Sequence, residues 1–260
     1  MTASPADTAD RIVADLNAHA PFEGYAEAVG ASLEAAYALQ DAVVARLERD
    51  AARGPVAGYK LAANSAKALA GLGLAEPLSA RLFAAQCLQS PADLRGHSFR
   101  TRAFEPEIAA VIGSDVPAGP QDRASILPHV ARLIPAFEVL DMREAKPSPA
   151  TMPLAVAQNI SNEGAVLGGP GLPPSEVDVE ALRLRVRFGE AELADVVGGA
   201  PQHPLDAVAW LAGHLAARGL LLRAGMVVLC GTHTPILFPE GAGRLALEID
   251  GLGTAAVELY

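Results

Sequence analysis

The sequence predicts an α+β protein in which an N-terminal helical lobe precedes a β-rich body. Three observations carry that class. Apolar residues recur at helical spacing before Gly54, short apolar runs broken by Gly and Pro replace them from Val56 onward, and one further helical stripe follows Pro204.

Taken in order, Ile12, Val13 and Leu16 space a first apolar face that Pro21 ends. A stronger helix opens at Ser32, a good N-cap, carries Leu33, Ala36, Tyr37, Val44 and Leu47 on one stripe, and closes at Gly54-Pro55. Strand-like runs then cover 56–61, 99–112, 133–140, 160–167, 182–188, 226–230 and 245–249. Pro204 suits the first position of a helix whose buried stripe is Leu205, Val208, Leu211, Ala212 and Leu215, with Trp210 beside it and Arg218-Gly219 as the stop. The Gly168-Gly169-Pro170-Gly171 segment reads as a rigid loop. No helix or Lys-Ser/Thr follows it, so it is not a phosphate cradle.

At 260 residues the chain can bury a large core, and 51% hydrophobic with 19% charged residues is an ordinary globular composition. A net charge of −10 and the lack of a basic stripe exclude a nucleic-acid backbone as partner. No apolar run reaches spanning length, so no membrane partner is expected, and Met1 to Asp10 has neither the basic nor the apolar region of a secretory signal. Cys87 and Cys230 lack metal-type spacing. They read as two buried thiols in a reduced, cytoplasmic compartment.

The informative residues are Glu105, Glu107 and Glu138. Strand alternation over 104–112 puts Glu105 and Glu107 on one face and Phe104, Ile108, Ala110 and Ile112 on the other. Such a pair also describes a solvated strand face. Glu138 is different, because Ile134, Ala136 and Leu140 share its face and Phe137 and Val139 occupy the other, as in a strand covered on both sides. A bare carboxylate there costs several kcal/mol or takes up a proton unless a cation compensates it. Without a matching run of Arg or Lys, oxygen ligands of this kind suit Mg²⁺ or Mn²⁺ rather than zinc.

Several segments together resemble the fumarylacetoacetate hydrolase superfamily, in its branch of 2-keto-4-pentenoate hydratases and 4-oxalocrotonate decarboxylases. They are Gly58-Tyr59-Lys60-Leu61, Glu105-Pro106-Glu107-Ile108, Pro135-Ala136-Phe137-Glu138-Val139-Leu140-Asp141-Met142-Arg143, Asn159-Ile160-Ser161, Val166-Leu167-Gly168-Gly169, the Pro204 helix and Ala224-Gly225-Met226-Val227-Val228-Leu229. The resemblance implies a mixed β-sandwich roll behind the helices, divided as a helical lobe over 1–72 and a catalytic roll over 73–260 that fold as one unit. It also implies a homo-oligomer, possible assembly with a sister hydratase or decarboxylase, and a divalent cation on Glu105, Glu107 and Glu138. Lys60 and Ser161 fall on catalytic positions, and Leu61, Asn159, Gly231, Thr232 and His233 on substrate-binding ones.

Blander readings stand beside these: Lys60 as a snorkelling edge lysine, Ser161 as a turn serine bonded to backbone, and His233 as a backbone cap. The implied reaction is addition of water to a short 2-oxo-4-enoic acid. Decarboxylation of a 2-oxo-3-enedioate is the alternative, acylpyruvate hydrolysis is less favoured, and a non-catalytic metal-binding paralogue or partner subunit is a further possibility. Three departures bear on the reaction. Leu78 stands where the family carries an Asp, Gln158 where it tends to have Asp, and Asn64 where Thr or Ser is common. Asp141 and Arg143 suggest an ion pair near the third glutamate, while His19, His97, His129, His203 and His214 read as structural.

Overall fold

The computed structural model describes residues 5–30 and 32–260. Met1–Ser4, part of the segment expected to lack a secretory signal, lie outside the described residues. The chain opens with helices α1 (Pro5–Asn17), α2 (Ala26–Val29) and α3 (Leu33–Leu47). Ser32 caps α3 as expected, its Oγ accepting from the Ala35 N–H at 3.2 Å. Strand β1 (Val56–Ala62), helix α4 (Ala66–Leu72), and strands β2 (Leu78–Phe83), β3 (Cys87–Gln89), β4 (Ala92–Asp93) and β5 (Arg102–Ile112) follow. After a helical turn, α5 (Arg123–Ile126), come β6 (Val130–Asp141), α6 (Met152–Ala157), β7 (Asn162–Leu167), β8 (Gly169–Pro170), β9 (Arg183–Phe188) and β10 (Ala191–Val197). Helix α7 (Pro204–Ala217) and strands β11 (Val227–Thr232), β12 (Gly243–Ile249) and β13 (Gly253–Leu259) complete it.

The strands form two sheets. A mixed seven-stranded sheet runs β2-β1-β11-β5-β6-β7-β3, and a second runs β10-β9-β12-β13-β4 with β8 beside β13. The main core lies between them. Phe104, Ile108, Ile112, Phe137, Val139 and Val228 of the first sheet meet Leu184, Val186, Leu245, Leu247 and Val257 of the second, and Leu205, Val208, Leu211 and Leu215 of α7 join the same cluster. Each such side chain, fully buried, contributes about 1.5–3 kcal/mol of transfer free energy. A second core joins α1 and α3, through Ile12, Leu16, Tyr37, Val44 and Leu47, to Leu78 and Phe83 of β2 and to Met152 and Val156 of α6.

The sandwich roll behind helices is the architecture the sequence implied, but several elements escaped its patterns. Strand β2 alternates apolar Leu78, Ala80 and Leu82 with Ser79 and Arg81, yet it is buried on both faces, so its alternation reads as a half-solvated run too short to stand out. Exposed β10 spaces its apolar residues without a period of two, and α4 and α6 are too short to show a period. One expectation is corrected: Ile160 is not in a strand. Asn159, Ile160 and Ser161 form a tight turn with φ of 57°, 49° and 57°, and β7 begins at Asn162.

Candidate functional site

Register places the acidic residues. In the antiparallel β5–β6 pair Glu105 lies directly opposite Glu138, and Glu107 opposite Ala136, while Thr232 of β11 pairs with Glu107 on the other side. Because Phe104, Phe137 and Val139 fill the inter-sheet core, the carboxylates project from the opposite face of the seven-stranded sheet. Each of the three offers an oxygen within 4.8 Å of the others. Glu107 and Glu138 are fully buried.

Each buried carboxylate is held by one oxygen and left free at the other. Glu107 Oε2 accepts from the Gly231 N–H at 2.6 Å, and Glu138 Oε1 accepts from Asn162 Nδ2 at 2.8 Å and lies 3.1 Å from Lys60 Nζ. Glu107 Oε1 and Glu138 Oε2 are buried without a hydrogen-bond partner among the described residues. Two orphaned carboxylate oxygens converging with Glu105 are what a hard, oxygen-seeking divalent cation would satisfy, so the donor set fits Mg²⁺ or Mn²⁺.

Without such an ion the cluster is short of positive charge. Burial, then the charge of Glu138, pushes Glu105 up to about 8, and burial followed by Glu138 and Glu105 raises Glu107 well above the usual carboxylate range. Burial opposes charge on Lys60 as well, but Glu138 and Glu105 outweigh it and the ammonium is raised. Lys60 is 2% exposed, so it is no snorkelling surface lysine.

Two glycines permit this geometry. At Gly58 a Cβ would come within 2.1 Å of the Val227 carbonyl oxygen, so only glycine lets β1 run this close to β11 and bring Lys60 into the cluster. Gly231 has φ +106°, and a Cβ there would meet Asn64 Oδ1 at 2.4 Å, so the N–H that reaches Glu107 depends on its bare backbone.

A cavity of about 270 Å³ opens beside the cluster. Of the residues singled out from sequence, Lys60, Leu61, Glu105, Ser161, Gly231 and Thr232 line it, with Asn64 among them. Leu61 also packs in the core between the sheets. Asn159 and His233 are not among the lining residues. Asn159 instead clamps β2, its Oδ1 accepting from the Arg81 N–H at 2.8 Å and its Nδ2 donating to the Arg81 carbonyl at 2.9 Å. The His233 N–H donates to the Pro106 carbonyl at 3.1 Å, and burial pushes its imidazole down to about 4.

The walls include residues that no sequence pattern marked: Phe22, Lys146, Thr151, Met152 and Ile236. They come from loops and short elements, where periodicity carries no signal. Leu78, at the departure from the family pattern, is buried in β2 and does not line the cavity. Asn64 Nδ2 donates to the Cys230 carbonyl at 2.8 Å, and Gln158 holds Arg143 and the Glu23 carbonyl.

Asp141 and Arg143 do not form the ion pair expected of them. The Asp141 carboxylate accepts from the backbone N–H groups of Arg100, Thr101 and Arg143 at 2.8–3.1 Å and lies 2.8 Å from His19 Nδ1, while the Arg143 guanidinium donates to Gln158. A strand-end carboxylate surrounded by backbone donors has no need of a side-chain cation. His203 caps α7, its Nδ1 accepting from the Leu205 N–H at 3.2 Å, and His214 stacks on Trp210 with ring centroids 4.9 Å apart.

Comparison with known proteins agrees with this architecture. A 2-keto-4-pentenoate hydratase from Burkholderia vietnamiensis (strain G4 / LMG 22486) is 31% identical over 200 residues, 76% of each chain. A 2-hydroxyhexa-2,4-dienoate hydratase from Comamonas testosteroni is 30% identical over 155 residues, covering 59% of this chain and 58% of that one. The solved structure of 4-oxalocrotonate decarboxylase from Pseudomonas putida G7, complexed with magnesium and adipate, has the same fold, with a TM-score of 0.87 over 98% of this chain and 97% of that one at 23% identity. The profile of the fumarylacetoacetate (FAA) hydrolase C-terminal family matches residues 70–259. With that match spanning most of the chain and both sheets, the protein belongs to the fumarylacetoacetate hydrolase family.

Proposed function

We propose that this protein is a divalent-metal-dependent hydratase of a 2-hydroxy-2,4-dienoate, water adding to the conjugated 2-oxo-3-enoate that protonation of the dienol's far carbon gives. The observation that carries the reading is the pair of orphaned buried oxygens, Glu107 Oε1 and Glu138 Oε2, on carboxylates clustered with Glu105, which lines an apolar cavity. Hydratase relatives at 30–31% identity support the reaction class. Mg²⁺ or Mn²⁺ held by Glu105, Glu107 and Glu138 would supply Lewis-acid polarisation of the 2-oxo group.

The chain's own residues do the rest. Lys60 Nζ lies 3.1 Å from Glu138 Oε1 and lines the cavity, placed to exchange a proton with the dienol carbon chain. The Ser161 hydroxyl and the Asn64 amide line the same cavity and orient the oxo acid or the attacking water. Leu140, Met142, Met152 and Ile236 exclude bulk water, which strengthens every charge interaction inside. Glu105 is the one carboxylate among the lining residues, so with Leu78 in place of an acid, proton transfer rests on Lys60.

Release of CO₂ from a 2-oxo-3-enedioate is the second reading, favoured by the near-complete superposition on the decarboxylase fold. Self-association belongs to the same proposal: Leu193, Val197 and Phe238 leave apolar surface exposed on one protomer.

Incubation with Mg²⁺ and 2-hydroxypenta-2,4-dienoate should deplete the dienoate absorbance, and a chelator should stop it. Depletion that ignores the chelator would refute the metal dependence. CO₂ release from 4-oxalocrotonate without dienoate hydration would select the decarboxylase. Silence with both, alongside tight oxalate binding, would leave a non-catalytic paralogue.

A further inference from the structure

The cavity is lined by two cations that differ in what they are free to do. Lys60 lies at the buried end and is committed to Glu138 at 3.1 Å. Lys146 is exposed, lines the same cavity and forms no ion pair among the described residues. Its backbone is fixed: Thr151 Oγ1 donates to the Lys146 carbonyl at 2.8 Å and accepts from the Ser148 N–H at 2.9 Å, anchoring the loop between β6 and α6. Between the two ammonium groups the walls are largely apolar, with Leu72, Leu140, Met142, Met152 and Ile236 contributing. A ligand spanning this space meets an acidic, cation-seeking end, an apolar middle and a free ammonium at the solvent side.

We propose that Lys146 is the specificity-determining residue of a distal carboxylate subsite, so that the preferred substrate is a dicarboxylate, a 2-oxo-enedioate, rather than a monocarboxylic 2-oxo-enoate. The oxo-acid end lies toward Glu105 and Lys60, the hydrocarbon segment against the apolar walls, and the ω-carboxylate pairs with Lys146 Nζ at the mouth. Lys60 cannot serve the second carboxylate, because its charge already compensates Glu138. This rests on the oxo-acid reading of the site proposed above and adds a second charge to the substrate.

The test uses stable probes of equal chain length, 2-oxoadipate and 2-oxohexanoate, titrated into the Mg²⁺-loaded protein by calorimetry. The wild type should bind 2-oxoadipate about tenfold tighter, the magnitude of one partly exposed charge pair. Lys146→Met should bring 2-oxoadipate down to the level of 2-oxohexanoate, and Lys146→Arg should keep the preference. Equal binding by the wild type, or a preference that survives Lys146→Met, overturns the subsite. A preference that behaves as expected in a protein that hydrates no dienoate overturns the hydratase reading and leaves the subsite standing. Binding of neither acid overturns both.

Discussion

Glu138 shows how one residue's environment decides its chemistry. Its neighbours along the strand are apolar on both faces, and its compensation comes from residues remote in sequence: Lys60 at 3.1 Å and Asn162 at 2.8 Å. Removing the cation leaves a buried charge with only an amide for company. Lys60→Met is therefore expected to cost the metal-free protein about 3 kcal/mol in urea denaturation, with added Mg²⁺ restoring part of it. An unchanged midpoint would mean the carboxylates are neutral in the apo protein. Glu107 likewise has one oxygen held, Oε2 by the Gly231 N–H, while Oε1 is free, but among the described residues it has no ammonium within ion-pair distance. Glu107→Gln should keep the far-ultraviolet circular dichroism and lower Mg²⁺ affinity by more than about 100-fold in calorimetry. Retained affinity would remove Glu107 from the ligand set.

At the scale of elements, the site is a consequence of register and of two backbone turns. A one-residue slip of β6 against β5 would drive Glu138 into the inter-sheet core and Phe137 or Val139 out of it, so the hydrophobic pattern of the strand fixes the carboxylate geometry. The turn over 159–161 sets Ser161. Three consecutive left-handed non-glycine residues cost on the order of 1 kcal/mol each, offset by the two hydrogen bonds from Asn159 to the Arg81 backbone and by the packing of Ile160 against the helical core. Asn159→Ala should destabilise the fold by about 2 kcal/mol and, on the proposed role of Ser161, lower kcat more than it raises KM, because that hydroxyl loses its anchor. An unaltered kcat would assign Ser161 a purely structural role. Gly231→Ala should weaken Mg²⁺ binding together with stability, since its Cβ would collide with Asn64 and shift the N–H on Glu107.

For the molecule as a whole, β1 lies within the helical third of the sequence yet pairs with β11 in the large sheet, and α6 packs back onto α3. That interleaving favours a single cooperative unfolding transition for lobe and roll, measurable by matching circular dichroism and fluorescence melts. Acid should weaken the fold through its buried histidines. Burial, then the charges of Arg218 and Arg81, pushes His214 down to about 4 from an ordinary 6.5, and burial brings His233 to about 4 as well. Below pH 6.5 the unfolded chain takes up protons that the folded chain refuses. Stability is therefore fully present above that value, falls by up to about 1.4 kcal/mol per pH unit for each histidine as pH drops toward 4, and loses no more from these groups below it. His214→Phe should flatten part of that slope in denaturant titrations across the window, and an unchanged slope would mean His214 titrates normally.

Sequence alone determined what depends on local pattern. The α3 cap at Ser32, the buried stripe of α7, and the alternation that puts Glu105 and Glu107 on one face and makes Glu138 anomalous are all set by neighbours along the chain. The tertiary structure decided what depends on convergence. It brought Lys60 of β1, Asn162 of β7 and Gly231 of β11 onto carboxylates of β5 and β6, turned Asn159 to the Arg81 backbone, and placed Lys146 at the cavity mouth. The reason is physical: periodicity reports which side of an element is buried, whereas the partner that compensates a buried charge is chosen by sheet order and loop path, which leave no periodic trace in the chain.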